Sequence, residues 1–370
     1  MHKPNVNEFQ IKEERIQAFM KAQGYDAIVI ATQPNFAWIS GGGNSRIVSE
    51  INMGEAVLVF TATKKICVAL SMDAPRIAAH ELNGLGFEIV TIKWYEGSRD
   101  EYVTDFIKGL KALSDYPLEG AICNPSEFYK LHFPLTKYEI ERYRVLGREV
   151  EEILWDISQN IWPGMTGNEV KTLLICEYAK KEMTVPVIII GIDEEISSWR
   201  HPLPHDKSIK ETIMIVLIVT RGGLNVPITR MMQFGEVPEE MRKKFNDICT
   251  IAADTILSCK AGVKFADVSR RQKKLYEKLG YPEEWEKHFV GGVTGYVFSD
   301  GSLWNDEDAV MTDGMTFNWY TTITGVNLED TMITTKDGFE YFTVNGIWPV
   351  IKVTTEKGTI EIPDILVVKS

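Results

Sequence analysis

Hydrophobic and polar positions alternate along this chain in two rhythms. Between Glu8 and Gly24, apolar Ile11, Ile16, Phe19 and Met20 fall on a partial helical face, and Gly24 closes the segment. Short β-rich runs follow at 27–31, 56–60, 66–70, 88–92 and 120–124, each bounded by turn residues. Segments 73–82 and 99–113, between these runs, read as helices. The alternation predicts an α/β domain over residues 1–134.

After Pro134 the rhythm changes. Thr136 and Glu139 have capping-box spacing and predict a long helix from Lys137 to Gln159. Pro163 and Gly164 break it, and a second box, Thr166 with Glu169, opens a helix to Lys181. Apolar strands follow at 185–191, 213–219 and 226–234. The order then recurs, with helices over Pro238–Cys259 and Phe265–Leu279 and strand-like runs at 288–293, 315–324 and 328–335. Two helices and then strands, twice over, predict a duplicated domain over 135–370 with pseudo-two-fold symmetry. The expected class is α+β.

Composition narrows the function classes. The 370 residues are 44% hydrophobic and 25% charged, which suits a soluble globular chain with two cores. A formal net charge of −12 argues against a nucleic-acid or anionic-membrane partner, since both select a basic footprint. The basic run Arg270–Lys274 reads as the solvated face of a helix. No apolar stretch has the length of a signal peptide core or a membrane span. The five cysteines are scattered without CxxC spacing and read as reduced thiols. The expectation is a cytoplasmic protein.

Five segments in order resemble the creatinase, prolidase and methionine aminopeptidase family: "GYDAIVIATQPNFAWISGG", "FPLTKYEIERYRVLG", the stretch from Arg200 to Gly235, "HFVGGVTGY" and "GVNLEDTMITTKDG". The resemblance implies an N-terminal creatinase-type α/β domain and a duplicated pita-bread domain, with outer helices around a curved antiparallel sheet. It also implies a homodimer.

Peptidases of that family hold two divalent metals on two Asp, one His and two Glu. Paired dications polarise a carbonyl and generate hydroxide, and they need anionic oxygen ligands for that. Carried over by position, those ligands fall on Val216, Pro227, His288, Asn318 and Glu329. The span 212–235 contains no Asp, Glu or His, so no shift of the alignment restores the lost acids. A single zinc on His201, His205, His288 and Glu329 is the remaining metal option. It is disfavoured because "HPLPH" is a proline-stiffened extended stretch. The expectation is no metal and no cofactor.

Chemistry then falls to side chains. His201 matches the histidine that precedes the metal strand in the family, and in creatinase, a metal-free member, the matching histidine transfers protons. A histidine also has the side chain whose ordinary pKa suits proton transfer near neutrality. His201, His288 and Glu329 are the candidate catalytic residues, with His288 and Glu329 expected to face each other. Arg200, Tyr296, Asn318 and Trp319 are the candidate substrate-binding residues, and Arg230 reads as structural. The expected activity is a metal-independent hydrolase or lyase acting on a small C–N substrate or a short peptide. The alternatives are an inactive pita-bread binding protein and an Xaa-Pro aminopeptidase or prolidase with an atypical metal site.

Overall fold

The computed structural model describes residues 3–298 and 306–369. The chain divides into two compact units, Met1–Glu139 with Gly222–Leu224, and Ile140–Arg221 with Asn225–Ser370.

In the first unit, α1 (Val6–Gln23) starts where the Asn5 side chain accepts from the amides of Asn7 and Glu8, and stops at Gly24. A six-stranded sheet has β1 (Ala27–Thr32) inside it, antiparallel to β2 (Met53–Thr61). On the far side of β2 lie β3 (Lys65–Leu70) and β4 (Glu88–Ile92). β1 is buried on both faces from Ala27 to Ala31, which explains its unbroken apolar run. α2 (Gln33–Ser40) was not foreseen, because it is buried all round and shows no amphipathic stripe. Segment 73–82 is a short α-helical turn running into a π-helix, Ile77–Glu81.

Segment 99–113 is not one helix. α3 (Arg99–Phe106) is capped by Ser98 with Glu101, and Gly109, at φ +81°, lies in the turn that follows. β5 (Ala112–Ser114) then pairs with β1, and β6 (Ala121–Cys123) completes the sheet. A further helix, α4 (Pro125–His132), precedes the Thr136–Glu139 box. Lys12 is fully buried in this unit, donating to Glu8 at 2.6 Å and to the Trp38 carbonyl at 2.5 Å, with Glu139 at 2.7 Å.

The second unit has the order its sequence predicts. α5 (Lys137–Ser158) and α6 (Gly167–Ala179) come first, and both boxes, Thr136 with Glu139 and Thr166 with Glu169, are formed. β7 (Thr184–Ile192), β8 (Thr212–Arg221) and β9 (Leu224–Phe234) follow, then α7 (Glu239–Leu257) and α8 (Phe265–Lys278). The second strand set is shorter than expected: β10 (Gly291–Val293), β11 (Thr316–Trp319), β12 (Thr321–Ile323), β13 (Val326–Leu328), β14 (Thr331–Thr334) and β15 (Phe339–Tyr341). Three unforeseen strands end the chain: β16 (Val350–Thr355) and β17 (Gly358–Pro363) form a hairpin, and β18 (Leu366–Val368) lies parallel to β9.

The sheets β18-β9-β8-β7 and β10-β11-β14-β15 are joined by an antiparallel bridge between Thr229 and Glu329, with the Thr229 amide 3.0 Å from the Glu329 carbonyl. Val216 is buried in β8 opposite Ile189, and the Pro227 carbonyl accepts from the Thr331 hydroxyl.

Candidate functional site

His201 follows a four-residue helix, Glu195–Ser198, and is exposed. His288 caps a single 3-10 turn, Trp285–Lys287, in an extended conformation, so it precedes β10 instead of lying in it. The two Nε2 atoms are 3.0 Å apart. Nδ1 of His288 is 2.6 Å from the Phe289 carbonyl oxygen. A carbonyl can only accept, so neutral His288 carries its proton on Nδ1 and its Nε2 is a lone pair. The proton between the rings therefore belongs to His201 Nε2, and Nδ1 of His201 is left as the basic atom. Burial holds His288 below the ordinary histidine range; the Phe289 carbonyl opposes this, and the charges of His201 and Arg200 reinforce it.

Glu329 is fully buried. Its carboxyl accepts from Asn318 Nδ2 at 2.5 Å and Thr229 Oγ1 at 3.2 Å, with the Tyr320 hydroxyl as a third partner. Burial pushes this carboxyl up to about 8, and hydrogen bonds from Tyr320, Asn318 and Thr229 only partly offset it. Glu329 is therefore mostly protonated at neutral pH. Asn318 reaches it because Gly291 lets β10 close on β11. A Cβ at Gly291, where φ is +121°, would lie 2.2 Å from the Asn318 carbonyl oxygen. Asn318 Oδ1 has no partner among the described residues.

The expected pairing of His288 with Glu329 is not the one formed. His288 meets His201, and Tyr320 stands against both expected partners, its ring centroid 4.8 Å from that of His288 and its hydroxyl on Glu329. Tyr320 was missing from the expected set. It falls between two short strands, β11 and β12, where side-chain alternation cannot be extended by counting.

Other expected binding residues are engaged elsewhere. Arg200 donates to Thr322 Oγ1 at 2.8 Å, to Thr324 Oγ1 at 3.2 Å and to the Glu284 carboxylate. Burial pushes Glu284 up, but hydrogen bonds from Lys287, Thr324 and Arg200 outweigh it and hold the group at about 2. Arg200 thus braces the chain next to His201 and is not an open grip for a carboxylate. Trp319 lies on the strand face opposite Asn318 and donates its indole N–H to Cys259 Sγ at 3.2 Å in the core. Tyr296 is buried, and its hydroxyl accepts from Arg142 at 3.4 Å. Arg230 is committed to Asp330 at 2.8 Å and to the Thr343 carbonyl at 2.7 Å.

His205 lies 2.7 Å from the Glu195 carboxylate, so it does not join His201, His288 and Glu329. Among the described residues, no three His, Cys, Asp or Glu side chains converge as a metal site. No described helix is long and apolar enough to cross a membrane.

An uncharacterised peptidase of Staphylococcus aureus strain MW2 is 24% identical over 193 residues, 49% of this chain and 54% of that protein. The chain thus spans about half the length of the curated relatives it matches. Among solved structures, an Xaa-Pro dipeptidase from Bacillus anthracis superposes with a TM-score of 0.76 at 17% identity, covering 97% of this chain and 100% of that one. Dipeptidase PepE from Mycobacterium ulcerans gives a TM-score of 0.77 at 13% identity, over 99% of both chains. The N-terminal domain of FACT complex subunit SPT16 from Cicer arietinum gives 0.70 at 14%, over 92% of this chain and 97% of that one. These likenesses establish a shared pita-bread fold. The family model for metallopeptidase family M24 matches residues 141–369, more than half of the sequence, and the chain belongs to that family.

Proposed function

We propose that this chain is a hydrolase of small amide-like C–N substrates in which His201 acts as general base and then general acid, without the paired metals of its family. The observation that carries this reading is the 3.0 Å contact between the Nε2 atoms of His201 and His288. The Phe289 carbonyl fixes the proton on His288, so His288 accepts from His201 and orients it.

The reaction balances on His201 alone. Its Nδ1 takes a proton from water as the water oxygen adds to the carbonyl carbon. The C–N bond then breaks, and the Nδ1 proton passes to the leaving nitrogen, releasing acid and amine. His288 stabilises the intermediate imidazolium through the shared Nε2 proton. Tyr320, buried against Glu329 and packed on His288, holds the accepting ring in place.

The donors present do not fit a pair of divalent ions. At the positions matching the family's ligands stand a valine, a proline, an imidazole hydrogen-bonded to His201, an amide donating to Glu329 and a single carboxyl. Hard dications ask for several anionic oxygens each.

Two measurements test the reading. His201→Ala should lower turnover of an amide found by substrate screening by about 10²- to 10⁴-fold, with thermal unfolding unchanged. Unchanged turnover makes His201 structural. Metal analysis of protein purified without chelator should find well below one equivalent per chain. Two tightly held divalent ions overturn the metal-free mechanism.

A further inference from the structure

Away from the histidine site, the second unit carries a groove of about 1040 Å³ between α5 and α6. Ile153 and Ile157, one turn apart on α5, line one side, and Leu173 of α6 lines the other. Trp162, in the connection between the helices, lines the same groove and remains 58% exposed. Ile157 itself is buried, so the apolar surface open to a partner comes from Ile153, Leu173 and the exposed Trp162.

Charge narrows the choice of partner. Every ionisable residue lining the groove is acidic: Asp156, Glu169, Glu177 and Asp206. Glu177 pairs with Lys180 at 2.6 Å. No ion pair among the described residues engages Asp156, Glu169 or Asp206. Hydrogen bonds from Thr166 favour the ionised form of Glu169, while the charge of Asp206 opposes it, so two carboxylates share one end of the groove.

We infer that this groove docks a basic amphipathic helix of a partner protein. Its apolar stripe lies on Ile153, Leu173 and Trp162, and its Lys or Arg side chains reach the four carboxylates. α6 is 13 residues long, so a partner helix of about 20 Å, roughly four turns, matches it. A second copy of this chain is a poorer occupant. Its most basic helix, α8, has Arg270 paired with Asp267 and Glu307, Arg271 paired with Asp254, and its apolar Phe265, Val268 and Tyr276 buried.

The test uses the full chain and a fluorescent peptide of about 14 residues, with leucines at helical spacing and lysines elsewhere. Anisotropy should show saturable binding that weakens with salt. A peptide with glutamates in place of the lysines should not bind. Reversing two exposed charges, Asp156→Lys with Glu177→Lys, should raise Kd by about tenfold or more. If the reversed chain misfolds by circular dichroism, Asp156→Asn with Glu177→Gln provides the same comparison with a smaller loss. Equal binding of the glutamate peptide, or an affinity indifferent to both variant pairs, overturns the proposal. Self-association of the unliganded chain that the variants abolish also overturns it, since the groove then belongs to a second copy.

Discussion

Lys12 and Glu329 are both fully enclosed, one in each unit, and the two surroundings treat burial in opposite ways. Around Lys12 the charges are paired directly, with Glu8 at 2.6 Å and Glu139 at 2.7 Å from the one ammonium. Around Glu329 the partners Thr229, Asn318 and Tyr320 are all neutral, and the carboxyl avoids an unpaired buried charge by keeping its proton. The ionic cluster therefore depends on every member. The neutral cluster holds a proton that is released as pH climbs to about 8. Titratable surroundings of the second kind are where chemistry is sought, and His288 packs on the same tyrosine.

The largest expected effect comes from breaking the ionic cluster. Lys12→Met leaves Glu8 and Glu139 buried without their cation, which should cost about 3–5 kcal/mol of unfolding free energy. Urea denaturation measures it. A loss below about 1 kcal/mol would mean that solvent or rearrangement compensates the acids, and the contrast between the two clusters would collapse.

A smaller effect separates the clusters by pH. The Glu329 carboxyl is raised from 4.5 to about 8 on folding, so the folded chain holds a proton that the unfolded chain releases. Its contribution is complete at acid pH and is lost as pH climbs to about 8. Asp330, pushed up to about 6 by burial despite Arg230, declines in the same direction but is exhausted near there. His288, held below 6.5, and the buried His132, lowered to about 3, work in the opposite sense until the unfolded histidines lose their protons just above pH 6.5. Between pH 6.5 and 8 the decline therefore belongs to Glu329, at about 2 kcal/mol. Glu329→Gln should flatten stability across that window, as measured by urea midpoints. An equal slope in both proteins would remove Glu329 as the titrating group.

Much of this architecture was legible in the sequence. The two capping boxes marked the starts of α5 and α6, and the acid-free apolar span 212–235 became the buried strands β8 and β9. β5 was missed because three residues carry too little periodicity, and Leu110 and Leu113 continued a helical spacing past Gly109. The partner of His288 was beyond reach for a different reason. His201 lies 87 residues away on an irregular loop, where nothing local encodes the ring's direction. Trp319 and Asn318 are adjacent, yet only the strand register decides which one meets Glu329.

The smallest effect probes a single hydrogen bond. Thr229→Val keeps the backbone amide that bonds the Glu329 carbonyl and removes only the hydroxyl 3.2 Å from the carboxyl. At pH 6.5 the carboxyl is still neutral, and the loss should be about 0.5–1.5 kcal/mol. Above pH 8 the lost donor served a carboxylate, so the cost should rise toward about 1.5–3 kcal/mol. The growth between the two conditions carries the argument, because packing changes caused by the substitution contribute equally to both. If the cost is the same at each pH, Glu329 does not change its charge between them. It would then be a fixed structural group like the acids around Lys12, and proton exchange beside the histidine pair would have to be assigned to His201 and His288 alone.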